Sequence, residues 1–279
     1  MKTPALALAL VLVALVQAGA GRAAEDPLAE IERRQTELFA RVAPSVAYID
    51  NGAGFGSGFF VDARGLLLTN AHVVGRASTV EVVLHDGRRV TGTVVERGAG
   101  NIDLALVEVK VEGVQPLPLA VDVVPVGAWV ASVGHGLGGV WSYSTGMVSN
   151  VYPVGSENPV IQTQIPLHPG SSGGPIVDRH GRAVAVVTSG AKTSSVMNFG
   201  LLVADALERL TRLDDVPCEC TRVHAPAGTP VFVDGRLHGL GPRLIVPVAP
   251  KARREVRAAI GGQMIVKTTR GGGEVLVLP

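Results

Sequence analysis

The hydrophobic positions of this chain fall mostly into short runs that turn residues separate, without long helical periods. Turn signals such as Asn51-Gly52 and Asp86-Gly87 divide the runs. Short runs rich in Val, Ile and aromatic residues favour β-strands, and such strands without intervening helices are typical of an antiparallel barrel or sandwich. The strands predicted in this first set cover residues 46–49, 58–61, 66–69, 80–84 and 104–109.

A second set of short apolar runs begins after the proline-rich connector at 116–119 and ends in a predicted helix, Ala204 to Leu213. Two sets of similar size predict an all-β fold, with two six-stranded-type antiparallel barrels over residues 45–213. The strands predicted in the second set cover residues 129–133, 142–145, 160–164, 175–177 and 183–187.

A third section, residues 221–279, has the pattern of a small all-β module. Asp234-Gly235 is a tight turn between two apolar runs, which is a strong signal for a β-hairpin. The strands predicted here cover residues 231–233, 236–238, 244–246, 255–260 and 264–268.

The N-terminal segment differs from the rest of the chain. Lys2 is followed by an apolar run, Ala5 to Val16, and then by small residues. This run is shorter than the roughly 20 residues that a membrane-spanning helix needs, so residues 1–23 are predicted to be a cleavable signal peptide. The mature protein is therefore expected in the periplasm or outside the cell. Residues 24–44 are predicted as a helical lead-in, with Asp26 as its N-cap and Pro44 at its end.

Composition excludes some classes of partner. The formal net charge of the 279 residues is only +1, so no basic face for nucleic acid is predicted. Cys218 and Cys220 are the only cysteines. A strained disulfide, an intermolecular bridge and free thiols all remain open for this close pair. Two cysteines are too few for a closed zinc site, and no metal or other cofactor is predicted.

The strongest chemical signal is the segment Gly170-Ser171-Ser172-Gly173-Gly174-Pro175. A serine hydroxyl is a weak nucleophile until a base takes its proton, and the oxyanion that then develops needs N–H donors already aimed at it. A glycine-rich turn lets successive N–H groups converge. Ser172 is the predicted nucleophile, and the N–H groups of Gly170, Ser171 and Ser172 are the predicted oxyanion hole.

Two further residues complete a catalytic triad. His72 follows an apolar strand, and Asp103 stands at the entry of another, where a carboxylate can orient an imidazole. The order His72, Asp103, Ser172 is that of the chymotrypsin architecture, with the first two in the first β set and Ser172 in the second.

These motifs resemble those of the HtrA-type branch of the trypsin-like serine proteases. The resemblance covers roughly residues 41–213 and implies an ATP-independent endopeptidase that acts on unfolded or misfolded exported polypeptides, often as a homo-oligomer. No PDZ domain is predicted after the protease region, which is a departure from that family. The segments that carry the resemblance are Phe55-Gly56-Ser57-Gly58-Phe59, Thr69-Asn70-Ala71-His72-Val73-Val74, Asp103-Leu104-Ala105, Ile161-Gln162-Thr163 and Pro169 to Pro175.

The substrate contacts are predicted from a few positions. Ser189 and Gly190, after the strand at 183–187, are expected to pair with the substrate backbone by β-addition. Pro166 and its neighbours Ile165 and Leu167 predict a pocket for an apolar or small side chain. The loop histidines His135 and His168 are interpreted as solvated side chains.

The C-terminal module has a resemblance of its own. The stretch from Pro226 to Gly235 is similar to the opening of PEGA-type β modules of cell-surface proteins. This resemblance implies attachment to the cell envelope or binding of a partner, without catalysis. The alternative is a small structural cap on the second barrel.

Two other functions compete with an active protease. One is a catalytically silent protein that binds peptides on a protease scaffold, although such a binder would not need the complete triad and the glycine-rich turn. The other is an envelope structural module, which leaves the first two hundred residues unexplained.

Overall fold

The computed structural model describes residues 26–99, 102–122, 124–138, 140–152, 160–188, 198–249 and 252–279, so the predicted signal peptide lies outside it. In these ranges no helix has both the length and the apolar character to span a membrane. The chain divides into two compact units, Met1–Leu38 and Phe39–Pro279. Helix α1, Pro27–Val42, begins where the Asp26 carboxylate accepts the N–H of Leu28 at 3.0 Å, as expected of an N-cap.

The second unit contains a first closed barrel, whose antiparallel strands follow the order β1-β2-β3-β6-β5-β4. Strand β5 was not predicted, because its alternating exposed and charged residues do not form an apolar run; this strand is held by its pairing with β4 and β6. The strands are β1 Val46–Asp50, β2 Phe55–Asp62, β3 Leu66–Thr69, β4 Thr79–Val83, β5 Arg89–Arg97 and β6 Ala105–Val109.

A second closed barrel follows, in the order β10-β11-β12-β9-β8-β7. The prediction of an all-β fold with two six-stranded antiparallel barrels is therefore confirmed. Helix α2, Ala71–Val74, lies between β3 and β4 of the first barrel, and helix α3, Val203–Arg209, follows the last strand of the second barrel. The strands are β7 Trp129–Gly134, β8 Ser142–Val151, β9 Val160–Thr163, β10 Pro175–Val177, β11 Ala183–Val187 and β12 Asn198–Leu202.

Each barrel encloses its own apolar core. Ile49, Phe60 and Leu67 are fully buried or nearly so in the first barrel, and Ile161 and Ile176 are fully buried in the second. Burying such side chains contributes about 1.5–3 kcal/mol each relative to exposure in water. The loops at the barrel ends are therefore positioned by two separate, well-packed supports.

Direct hydrogen bonds join the two barrels. The backbone N–H of Ser57 on β2 donates to the carbonyl of Ser172 at 2.8 Å, and the indole N–H of Trp141 donates to the carbonyl of Val46 on β1 at 2.9 Å. The loop that precedes β10 thus rests against β2 of the first barrel.

The C-terminal section forms two further sheets, one of order β16-β13-β19 and one of order β15-β14-β17-β18. Strands β13 and β19 were not predicted; they pair in parallel although about 50 residues separate them. The strands are β13 Cys220–His224, β14 Pro230–Val233, β15 Arg236–Leu240, β16 Arg243–Pro247, β17 Arg254–Ile260, β18 Gln263–Thr269 and β19 Glu274–Val277.

Polar side chains connect this module to the segment that follows the second barrel. The buried guanidinium of Arg222 donates to the carbonyls of Leu213 and Val216 at the end of the preceding helical segment. Arg243 binds Asp214 at 2.6 Å. Cys218 and Cys220, at the start of the module, are joined in a disulfide, which resolves the alternatives that the sequence left open.

Candidate active site between the two barrels

His72 and Asp103 meet at the edge of the first barrel. His72 lies in α2, directly after β3, and Asp103 lies just before β6, the strand that pairs with β3. The imidazole Nδ1 of His72 is 2.6 Å from Oδ2 of Asp103. Because an ionised carboxylate can only accept, Nδ1 carries the proton, and Nε2 keeps the lone pair that a general base needs.

Three further hydrogen bonds hold Asp103 in place. Its Oδ1 accepts the backbone N–H of His72 at 2.9 Å, and its Oδ2 accepts the hydroxyl of Thr188 at 3.3 Å. The side-chain amide of Asn70 donates to the Asp103 carbonyl at 2.8 Å. The His72 side chain stays 46% exposed, so the ring is oriented from one side and open to a substrate on the other.

The carbonyl groups around Ser172 all have donors. The carbonyl of Pro169 accepts the N–H of Leu137 at 2.7 Å, and that of Gly170 accepts the hydroxyl of Ser57 at 2.8 Å. The carbonyl of Ser171 accepts the N–H of Gly174 at 3.0 Å. With the bond from Ser57 N–H to Ser172, four successive carbonyls of this loop are fixed.

Fixed carbonyls also fix the N–H groups of the same peptides, since a planar trans peptide points its C=O and N–H in opposite directions. In the described part of the chain, the N–H groups of Gly170 and Ser172 donate to no acceptor. The N–H of Ser171, also predicted as an oxyanion donor, instead donates to the carbonyl of His168 at 2.9 Å. Two N–H groups, those of Gly170 and Ser172, therefore stay available for an oxyanion.

Gly170 requires a backbone conformation that other residues rarely adopt. Its φ is +99°, and a Cβ there would lie 2.4 Å from the carbonyl oxygen of His135 and 2.5 Å from the ring of Phe55. The glycine predicted for this turn is thus needed both for its dihedral and for the close packing around it.

Ser172 is half-buried, and Gly56 on β2 lies between its backbone and the helix that carries His72. A Cβ built on Gly56 would lie 2.6 Å from a methyl of Val73, the neighbour of His72, and 3.0 Å from the Ser172 carbonyl. Gly56 therefore packs against both the Ser172 backbone and Val73, the residue that follows His72. Among the described residues, no hydrogen bond joins His72 to Ser172; such bonds are often long before substrate binds.

Other predicted site residues have different outcomes. Ser189 and Gly190 lie outside the described residues. Ile165 is fully buried in the core of the second barrel, so it cannot line a substrate pocket as proposed from its position before the nucleophile. The adjacent Pro166 and His168 are exposed, the latter as predicted.

The prediction that His135 is a solvated loop side chain is wrong, because the residue is only 1% exposed. It begins a turn after β7 and is packed edge-on against the rings of Tyr48 at 5.4 Å and Trp141 at 4.7 Å. Burial lowers the pKa of His135 to about 4, so the imidazole is neutral at neutral pH. The contact of His135 with Ser57 was not predicted either, because the two residues are 78 positions apart and meet only where the two barrels pack together.

Across the described ranges, no group of three or more His, Cys, Asp or Glu side chains is arranged to hold a metal ion. The chemistry that this arrangement can perform is nucleophilic: a serine in a constrained turn, an imidazole held by a carboxylate, and two free N–H groups.

A comparison with protein families matches residues 56–186 to the trypsin-like peptidase domain. This stretch of the chain is therefore similar to trypsin-like peptidase domains. It contains His72, Asp103 and Ser172, and all the loop carbonyls described above.

Curated relatives with a similar sequence include serine proteases. The chain is 33% identical over 182 residues to the putative serine protease HhoA of Synechocystis sp., covering 61% of this chain and 45% of that protein. It is 35% identical over 136 residues to a probable periplasmic serine endoprotease, DegP-like, of Halomonas elongata, covering 47% of this chain and 28% of that protein. The chain thus spans less than half the length of these relatives.

Solved structures share the fold. The serine endoprotease from Yersinia pestis superposes with a TM-score of 0.58 at 19% identity, covering 85% of this chain and 96% of that chain. The active form of the Rv3671c protease from M. tuberculosis superposes with a TM-score of 0.59 at 24% identity, covering 68% and 87%. At such identities the likeness concerns the fold.

Proposed function

We propose that this chain is an exported serine endopeptidase that hydrolyses unfolded or misfolded polypeptides. Ser172 attacks the scissile carbonyl, and His72 takes its proton through Nε2 and returns it to the leaving amine. Asp103 holds the imidazole and stabilises its charged form. The acyl-enzyme on Ser172 is then hydrolysed by water, with His72 again acting as the base.

The observation that carries this proposal is the arrangement of the loop from Pro169 to Ser172. Each carbonyl has a donor, and only two N–H groups remain free beside the nucleophile in the described part of the chain. Donors fixed in advance stabilise the developing oxyanion without reorganisation when the reaction occurs. A protein that only holds peptides has no need of such a pair.

The test is turnover of unfolded casein by residues 24–279, measured beside Ser172→Ala. We expect steady hydrolysis by the parent protein and covalent labelling of Ser172 by a fluorophosphonate, and neither in the variant. Equal hydrolysis by both proteins would rule the proposal out. Binding of casein by both without hydrolysis or labelling would favour the alternative, a catalytically silent peptide-binding protein.

For the C-terminal module we propose attachment to an anionic surface of the cell envelope. Residues 221–279 contain nine Lys or Arg and three Asp or Glu, although the whole chain has a net charge of only +1. Basic surfaces bind anionic lipids or polymers through such an excess. Four apolar side chains on the edge strands of its larger sheet are more than half exposed: Leu237, Leu240, Met264 and Val266.

Co-sedimentation of the Ser172→Ala protein with phosphatidylglycerol vesicles tests the attachment. We expect binding that falls as salt rises from about 50 to 300 mM, because screening weakens attraction between surface charges. Phosphatidylcholine vesicles are the control. Equal binding to both kinds of vesicle, or to neither, would contradict an anionic attachment site.

A further inference from the structure

The hydroxyl of Ser57 is a buried junction between β2, the turn after β7 and the loop that carries Ser172. Its oxygen lies 2.8 Å from the carbonyl of Gly170, 3.0 Å from the backbone nitrogen of His135 and 3.1 Å from Nδ1 of the same histidine. Both Ser57 and His135 are buried, so water does not compete for these bonds.

The directions of these hydrogen bonds follow from the number of protons. A hydroxyl has one proton, and the carbonyl of Gly170 can only accept, so the Ser57 proton points to Gly170. The backbone N–H of His135 fills one lone pair of the hydroxyl oxygen. The contact with Nδ1 then needs Nδ1 to be the donor, which fixes the tautomer of His135 with its proton on Nδ1.

Because the backbone N–H and Nδ1 of His135 both donate to the Ser57 oxygen, the hydroxyl has a single orientation, with its proton toward the Gly170 carbonyl. The turn that His135 begins also contains Leu137, whose backbone N–H binds the carbonyl of Pro169. Ser57 in addition holds the carbonyl of Ser172 through its own backbone N–H. Three of the four fixed carbonyls around the nucleophile therefore depend on Ser57 or on the turn of His135.

We infer that His135 is a positioning residue for catalysis: its imidazole, acting through the Ser57 hydroxyl, fixes the peptide between Gly170 and Ser171 and so keeps the N–H groups of the two flanking peptides, those of Gly170 and Ser172, turned toward the oxyanion. This inference rests on the proposed peptidase function. His135 touches neither the substrate nor the reacting atoms; it acts on the transition state only through the backbone that it orients.

Aromatic packing explains why the imidazole stays in place and neutral. Tyr48 and Trp141 pack edge-on against the ring, and Trp141 is itself anchored on the first barrel through Val46. The Nε2 atom of His135 has no hydrogen-bond partner within the described ranges. A positive charge at that atom would be buried without compensation, so the ring is suited to a fixed donor at Nδ1 and not to proton transfer.

The test compares His135→Leu and Ser57→Ala, which remove the side-chain bonds, with His135→Asn, whose amide can donate to Ser57 in place of Nδ1. We expect kcat to fall by roughly 10- to 100-fold in the first two variants, the range of effects of a misplaced catalytic group. KM should change little, because the oxyanion forms only in the transition state. His135→Asn should recover most of kcat.

His85→Leu is the matched control. His85 is exposed and contacts the ring of Trp141 at 5.1 Å, but it makes no contact with Ser57 in the described structure, so its kcat should be unchanged. Active-site titration corrects each kcat for the folded fraction. An unchanged corrected kcat in His135→Leu and Ser57→Ala, or an equal loss in His135→Asn and His135→Leu, would overturn the inference.

Hydrogen exchange of the segment 168–174 provides a readout that does not need turnover. In a Ser172→Ala background, we expect faster exchange in this segment with His135→Leu than with His135→Asn. If the parent protein proved inactive, its inactivity would refute the peptidase function. The expected difference in exchange rates would still support the proposed loop geometry. Equal exchange in both variants would refute the positioning role even in an active enzyme.

Discussion

At the scale of single residues, the site depends on hydrogen bonds whose directions are fixed by proton counts. Asp103 accepts from both the backbone and the ring of His72, and so determines which ring nitrogen is free. An asparagine at this position could still accept the backbone N–H, but its NH₂ group would face Nδ1 and favour a proton on Nε2.

We therefore expect Asp103→Asn to lower kcat by on the order of 10³- to 10⁴-fold while the protein stays folded. Peptide hydrolysis and thermal unfolding measured on the same preparation test this. Thr188→Val, which removes only a 3.3 Å hydroxyl contact to Asp103, is the control and should lose less than about tenfold. A loss of similar size in both variants would contradict the special role of Asp103.

Gly56 gives a steric test of the contact between the barrels. In Gly56→Ala the new methyl would press on Val73 and on the Ser172 carbonyl, and we expect kcat/KM to fall by roughly 10- to 100-fold, as for a small misplacement of catalytic groups. In Gly54→Ala, two residues away, the methyl meets no atom within 4 Å and activity should be retained. Equal activity of the two variants would show that the cleft tolerates the shift.

At the scale of elements, α3 is the surface on which the C-terminal module rests. The Glu208 carboxylate on α3 accepts the N–H of Ile245 on β16 at 3.0 Å. Burial between the two elements raises the pKa of Glu208 to about 7. Burial also raises the pKa of the neighbouring Asp205, which pairs with Arg209 at 2.7 Å.

This raised pKa predicts a pH-dependent stability. Between pH 4.5 and about 7, Glu208 is protonated in the folded protein and ionised in the unfolded chain. The contribution of this proton to the free energy of unfolding is therefore fully present below pH 4.5 and is lost as pH rises through 7. The loss amounts to about 3 kcal/mol. Glu208→Gln keeps an oxygen for Ile245 and should be more stable than the parent protein at pH 8, with little difference at pH 4.5.

Thermal unfolding of both proteins between pH 4.5 and 8 measures this difference. The comparison must be made between variants, because His135 has a lowered pKa and contributes stability that is lost in the opposite direction, as pH falls from about 6.5 to 4. Glu112→Gln, at an exposed position, is the control. A Glu208→Gln advantage that is the same at every pH would contradict the raised pKa.

At the scale of the whole molecule, the barrels and the module form one compact unit, Phe39–Pro279. Arg222 is buried and donates to carbonyls of the segment that follows the second barrel, and Arg243 binds Asp214 in the same segment. Separating the two parts would break these buried polar bonds, which costs free energy.

We therefore expect calorimetry to record a single unfolding transition for the unit 39–279 at pH 7. Arg222→Met keeps a long side chain but leaves the carbonyls of Leu213 and Val216 without their donor. This variant should lower the midpoint of the unfolding transition or divide the transition in two. Arg270→Met, at an exposed position in the same module, is the control. Two transitions in the parent protein would show that the module folds independently.

The sequence alone determined ten of the twelve barrel strands, all but β5 and β12, and the glycine-rich turn, because apolar alternation and glycine dihedrals are local properties. It also singled out His72, Asp103 and Ser172 as candidates, through spacing and chain order. Strand β5 was missed because its residues are charged and its pairing comes from neighbours, and β13 and β19 were missed because their parallel pairing is remote in sequence.

Only the tertiary structure decided which groups around these candidates act together. Ile165 is buried because of how the second barrel packs internally. The burial of His135 and its contact with Ser57 depend on how the second barrel packs against the first. No local pattern encodes the Ser57 junction, because its bonds join segments that are 78 or more residues apart. A local pattern can thus indicate a nucleophile, whereas the direction of the N–H groups beside it is set by contacts from the other barrel.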